Sequence, residues 1–134
     1  MDLLFVLANL VAIAGWMVLI FGVLRGRPSI EIARVVGACL AASYLVLFIV
    51  NGKDATVLIQ DYSLRGIGEF FSLPALALVG WIHYLAFDLW IGTWEVEHAP
   101  DAMPRSALLG VLLLTYALGP IGLVTFLVAR RVWR

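Results

Sequence analysis

The chain has 134 residues, of which 63% are hydrophobic and 13% charged, with a formal net charge of zero and a mean hydropathy of +1.03. A soluble domain of this size cannot bury so much apolar surface, because small domains keep a large surface for their volume. Zero net charge removes the electrostatic footprint of a nucleic-acid binder, and the lone Cys39 excludes an intramolecular disulfide and a cysteine zinc framework. Composition therefore points to an integral membrane protein of the all-α class.

The first apolar stretch covers 3–24 and carries no charge. Ala12-Ile13-Ala14 resembles a signal-peptidase site, yet no Lys or Arg precedes the run and the run continues past Ala14. The segment is expected to stay as a membrane helix. Without an Arg- and Ser-rich import sequence, a bacterial inner membrane is the expected location. Residues 25–31 form a tight turn in which Pro28 or Ser29 opens the second stretch, 32–50, with Arg34 near its start. Residues 51–69 mix Gly, Asp and Arg around a brief apolar patch, 55–59. That patch is too short to span and is expected at the interface. The third stretch, 70–94, contains His83 and Asp88. A polar connection with two prolines, 95–105, leads to Ser106 as a helix cap and to the fourth stretch, 106–129. Pro120 is expected to kink it by freeing the Tyr116 carbonyl.

Each stretch comes close to the ~20 apolar residues that cross a hydrocarbon core of ~30 Å. The ~10-residue alternation of a barrel strand is absent. The expectation is one transmembrane domain over 1–134, built as an integral membrane four-helix bundle. Four crossings would divide the basic residues four to five between the two faces, so the positive-inside rule gives no orientation. Ala8/Ala12, Gly22/Gly26 and Ala38/Ala42 have the small-residue spacing that lets helices approach closely.

A charge facing lipid at mid-bilayer costs about 2.5–3.5 kcal/mol on insertion scales. Asp88, and more gently His83, are therefore expected to face inward. Five residues separate them, about 140° around a helix, so they do not share a face. Matching depths on antiparallel helices sets Arg34 near Asp88 and predicts an Arg34–Asp88 ion pair, which pins two helices or holds a site in equal measure. A mid-membrane cluster of His83, Tyr84, Tyr116, Ser43 and Tyr44 is a second expectation. Trp81, seven residues before Asp88, lies on nearly the same face; it lines a pocket for a flat apolar ligand or fills the core. Trp90, Trp94 and Trp133 read as aromatic-belt residues. No metal and no cofactor is expected.

The run Trp81-Ile82-His83-Tyr84-Leu85-Ala86-Phe87-Asp88-Leu89, followed by Gly92 and Trp94, resembles the signature of the abscisic-acid-deficient-four-like family. Ser63-Leu64-Arg65-Gly66, Phe71-Ser72 and Gly119-Pro120-Ile121-Gly122 extend the resemblance over roughly residues 55–130. Thr93 departs from it, since bacterial relatives are expected to carry an arginine there. Plant members are associated with neoxanthin synthesis. The resemblance implies a membrane protein acting on or near a carotenoid-like substrate, by a non-redox isomerisation of an epoxide into an allene and a hydroxyl. Such a step needs an acid for the epoxide oxygen and a base for a carbon-bound proton. It implies Asp88 as the acid and His83 as the base, with Trp81, Tyr84, Tyr116 and Trp94 around the substrate. An Arg34 partner would compete with the acid role. The expected partners are an apolar lipid or carotenoid and, optionally, further copies of the chain as a homo-oligomer, with no nucleic acid. The alternative is a non-catalytic membrane protein that binds a pigment, a lipid or a partner protein. A channel is disfavoured, because the first and fourth stretches are too apolar.

Overall fold

The computed structural model describes residues 1–53, 56 and 61–133, and all regular structure among them is helical. In chain order the helices are α1 (Asp2–Arg25), α2 (Ile30–Val50), α3 (Leu64–Ser72), α4 (Pro74–Glu97), α5 (Arg105–Leu118) and α6 (Pro120–Val132). Three of them, α1, α2 and α4, are long and apolar enough to cross a membrane, which fits a membrane protein.

Local chemistry sets the boundaries. Gly26 ends α1 in the left-handed region, at φ 69°. Gly26 N–H donates to the Val23 carbonyl and Arg27 N–H to the Gly22 carbonyl, which closes the helix end. The turn then folds onto Gly22, where a Cβ would fall 2.8 Å from the Pro28 backbone. Pro74 takes the first position of α4, and Leu73 before it is extended at φ −82° and ψ 119°, as residues preceding proline tend to be. The third stretch therefore starts at Pro74, and Phe70 belongs to the separate helix α3.

Ser63 caps α3 by accepting from Gly66 N–H at 3.3 Å. α3 buries Phe70 and exposes Leu64 and Phe71, with Arg65 and Glu69 paired at 2.9 Å on its outer side. Such a short amphipathic helix suits the membrane interface. The apolar patch 55–59 lies, except for Thr56, outside the described residues.

α4 is the central helix and packs on every other one. Of its most apolar window 44% is buried, against 22% for α1 and 17% for α2. α2 meets it through Ala33, Gly37 and Leu40, with Gly37 next to Trp90 and Ala86. The expected contact through Ala38 and Ala42 does not form, and both are exposed. α1 contributes Ala8, Ala12, Trp16 and Leu19. Trp16 lies over Gly92, where a Cβ would fall 2.6 Å from its ring.

The fourth apolar stretch departs from expectation. α5 runs antiparallel to α4, since Thr115 meets Glu95 and Gly119 meets Asp88. A straight continuation would carry Phe126 to the level of Trp81 or Ile82. Instead Phe126 packs on Trp94 with ring centroids 5.4 Å apart, and Arg130 lies 5.8 Å from the Trp94 ring. The chain reverses at Gly119, at φ 44° and ψ −97°, a conformation that favours glycine. Gly122 comes to rest directly on the Thr115 backbone, leaving no room for a Cβ. α5 and α6 are thus the two arms of a helical hairpin. With 14 and 13 residues, each arm is roughly 20 Å long and falls short of a ~30 Å core. The expected four-helix bundle is not confirmed: the described residues form three long apolar helices, the short α3, and a hairpin of α5 and α6 whose tip lies at the level of Asp88.

Candidate functional site

Helical spacing of 3.6 residues places Trp81, Tyr84 and Asp88 along one stripe of α4. Trp81 and Tyr84 have ring centroids 5.5 Å apart, and Tyr84 precedes Asp88 by four residues, one turn along the same face. Trp81 Nε1 donates across to Asn9 Oδ1 on α1 at 3.2 Å, and Phe5 packs on its ring at 5.6 Å. The tip of the hairpin lies against the top of this stripe. A Cβ on Gly119 would fall 2.9 Å from Asp88 Oδ1 and 3.1 Å from Oδ2. Asp88 Oδ2 is buried, with no hydrogen-bond partner among the described residues. Tyr116, three residues before the tip, packs edge-on against Trp16 at 5.6 Å.

Because the hairpin turns back there, neither of its arms covers the rest of the stripe. Trp81 and Tyr116 are each 41% exposed. Towards the Pro74 end the stripe continues into a mainly apolar groove of about 330 Å³ lined by Met1, Asp2, Phe5, Pro74, Ala77, Leu78 and Trp81. The groove, the aromatic stripe above it and the Asp88 carboxyl thus follow one another along α4 as a lateral notch, of which the groove itself ends at Trp81.

Other expected site residues lie elsewhere. His83 is exposed on a different face, stacked on Phe87 at 4.5 Å and beside Tyr44 at 5.5 Å. His83 and Asp88 do not share a site, as their angular separation already implies. The cluster expected around His83 divides: Ser43 bonds back to the Cys39 carbonyl at 2.9 Å, and Tyr84 and Tyr116 lie on the Asp88 side. Trp94 packs between His98 and Phe126, at the open end of the hairpin rather than in the notch. The Arg34–Asp88 pair is corrected too. Arg34 pairs with Glu97 and, at 3.3 Å, with Glu31. α4 runs three residues beyond the expected end at Trp94, and this brings Glu97 to Arg34 while Asp88 lies deeper. Among the described residues no group of three His, Cys, Asp or Glu side chains gathers to hold a metal.

Glu95 is the polar residue that sequence reasoning assigned to a loop. It is 0% exposed, and both of its oxygens lie 2.9 Å from Thr115 Oγ1, which donates. Its signal was spacing: Trp81, Asp88 and Glu95 recur every seven residues. Thr93, the departure from the bacterial pattern, is also fully buried and donates to the Trp90 carbonyl at 2.7 Å.

A model of the ABA DEFICIENT 4-like family matches residues 3–126. The chain belongs to the ABA4-like family. The match spans every helix that shapes the notch. It carries the family and does not bear out the bacterial origin expected from the lack of an import sequence. No curated protein and no solved structure matches this ABA4-like chain.

Proposed function

We propose that this ABA4-like protein is a multi-pass membrane protein whose notch receives an elongated isoprenoid-type lipid and isomerises it without redox change. The observation that carries this reading is the partnerless oxygen of Asp88, held at the hairpin tip on the same stripe of α4 as Trp81, which lines the apolar groove two turns away. Pockets for small apolar ligands are mostly hydrophobic, with a few placed polar groups, and this one has that balance. The position of Asp88, about 13 Å from the Glu97 end at 1.5 Å per residue, suits the middle of a membrane-embedded polyene. Proton transfer from carbon to oxygen needs two groups. Tyr84 replaces His83 as the second group, with the roles exchanged: the Asp88 carboxylate takes the carbon-bound proton, the Tyr84 hydroxyl gives its proton to the substrate oxygen, and the proton then passes from Asp88 to the Tyr84 phenolate, so the enzyme ends unchanged.

The test compares lipid and pigment extracts of cells with and without the protein, by chromatography and mass spectrometry. An isoprenoid is expected to change retention at constant mass. D88N should abolish the change while the protein still accumulates, and H83F should preserve it. A product of altered mass, or full conversion by D88N, contradicts the proposal. The apolar lining also fits a non-catalytic holder of a pigment or lipid; in that case an isoprenoid co-purifies unaltered with both the wild type and D88N.

The same arrangement supports an orientation. The hairpin returns Arg130 and Arg131 to the end that carries Arg25, Arg27, Arg34 and Arg105. Lys53 and Arg65 are at the other end, and Arg134 lies outside the described residues. Six basic residues against two support a cytoplasmic position for the arginine end under the positive-inside rule.

A further inference from the structure

A second groove, of about 640 Å³, runs along the outer face of α1 at the arginine end. Met17, Val18 and Phe21 line it on α1, Ile32 closes it on α2, and Arg25 and Arg27 stand at its mouth. Its volume lies within the usual range for small-molecule sites, about 300–1,000 Å³. Neither arginine makes an ion pair among the described residues, whereas Arg34 on the same face is held by Glu97 and Glu31. The mouth is therefore a pair of uncompensated cations above an apolar furrow. That furrow lies in α1, a helix long and apolar enough to span the bilayer.

We propose that this groove binds one anionic glycerophospholipid, with its phosphate on Arg25 and Arg27 and an acyl chain along Met17, Val18, Phe21 and Ile32. Charge complementarity selects the headgroup. A phosphate ester accepts several charge-assisted hydrogen bonds, and guanidinium groups match its oxygens in paired fashion. The apolar furrow selects a lipid over a free phosphate. The turn that carries Arg27 is fixed by its close fit on Gly22 and by the αL closure at Gly26, so the two cations are presented by a defined backbone. The site is separate from the Asp88 notch and stands whether or not that notch is catalytic. Only the leaflet, the cytoplasmic one, rests on the orientation inferred above.

The full chain, purified in a neutral detergent, is titrated with phosphatidylglycerol, with phosphatidylcholine and with glycerol phosphate, and bound lipid is counted by native mass spectrometry. One phosphatidylglycerol is expected to bind saturably, with phosphatidylcholine bound more weakly and glycerol phosphate not retained. R25Q/R27Q should weaken phosphatidylglycerol about tenfold or more, given ~1 kcal/mol per basic residue at an anionic surface. R65Q, at the opposite end, should leave binding unchanged. V18W, which fills the furrow without altering charge, should weaken binding too, and it serves as the readout if the double variant does not fold. Equal retention of both lipids, equal retention of glycerol phosphate, or unchanged binding by V18W would overturn the site.

Discussion

Thr115 donates one hydroxyl hydrogen, shared between the two Glu95 oxygens, and the carboxyl group has no water-facing surface. A buried acceptor stripped of its donor costs about 1–3 kcal/mol. T115V should lower unfolding stability in detergent by that amount relative to T115S, which keeps the hydroxyl. Equal stability of the two variants would remove this account of Glu95. The pairing of Arg34 is tested by a double-mutant cycle. R34A and E97A should couple measurably, and more weakly at high salt given their exposure, whereas R34A and D88N should add. Coupling of Arg34 to Asp88 instead would restore the pair expected from depth matching. The sequence made Asp88 and Trp81 legible on one face, because helical spacing alone puts them together, whereas Tyr84 was expected with His83 although its spacing of four from Asp88 sets it on the same stripe. It misplaced His83 because an imidazole need not be charged: packing on Tyr44 and Phe87 holds it where a carboxylate would be far costlier. Glu95 was hidden by its position as the first of a run of polar residues, although its register with Asp88 marks it as inward-facing.

At the scale of helices, the three long ones could be read from hydropathy, and the break at Pro120 from the missing N–H of proline. The reversal could not. Hydropathy is blind to direction, and residues 106–129 are as apolar as a spanning helix. What turns a kink into a hairpin is the conformation of Gly119 and the contact of Gly122 with the Thr115 backbone, neither of which a propensity scale contains. G122A should therefore force the arms apart and cost about 1–3 kcal/mol as overpacking does. G110A, on α5 with nothing within 4 Å of a new Cβ, should be neutral or stabilising by up to ~1 kcal/mol, as alanine for glycine in a helix usually is. The measurement is thermal unfolding of both variants in one detergent. A destabilisation by G110A as large as that by G122A would show that the tight contact is not what holds the hairpin.

For the whole molecule, one element decides both the site and the orientation. If 106–129 crossed the bilayer as a single span, α4 would be covered along its length and the basic residues would divide almost evenly. As a hairpin it leaves Trp81 and Tyr84 open to lipid, ends against Asp88, and gathers Arg130 and Arg131 with the other arginines of that face. The most direct test uses a C39A background with single cysteines at Arg27, Lys53 and Arg131, labelled in intact cells with a membrane-impermeant maleimide. Cysteines at 27 and 131 should both be shielded until the cells are opened, and the one at 53 should react from outside. If position 131 labels together with 53 and apart from 27, the fourth stretch crosses the membrane and the notch does not exist.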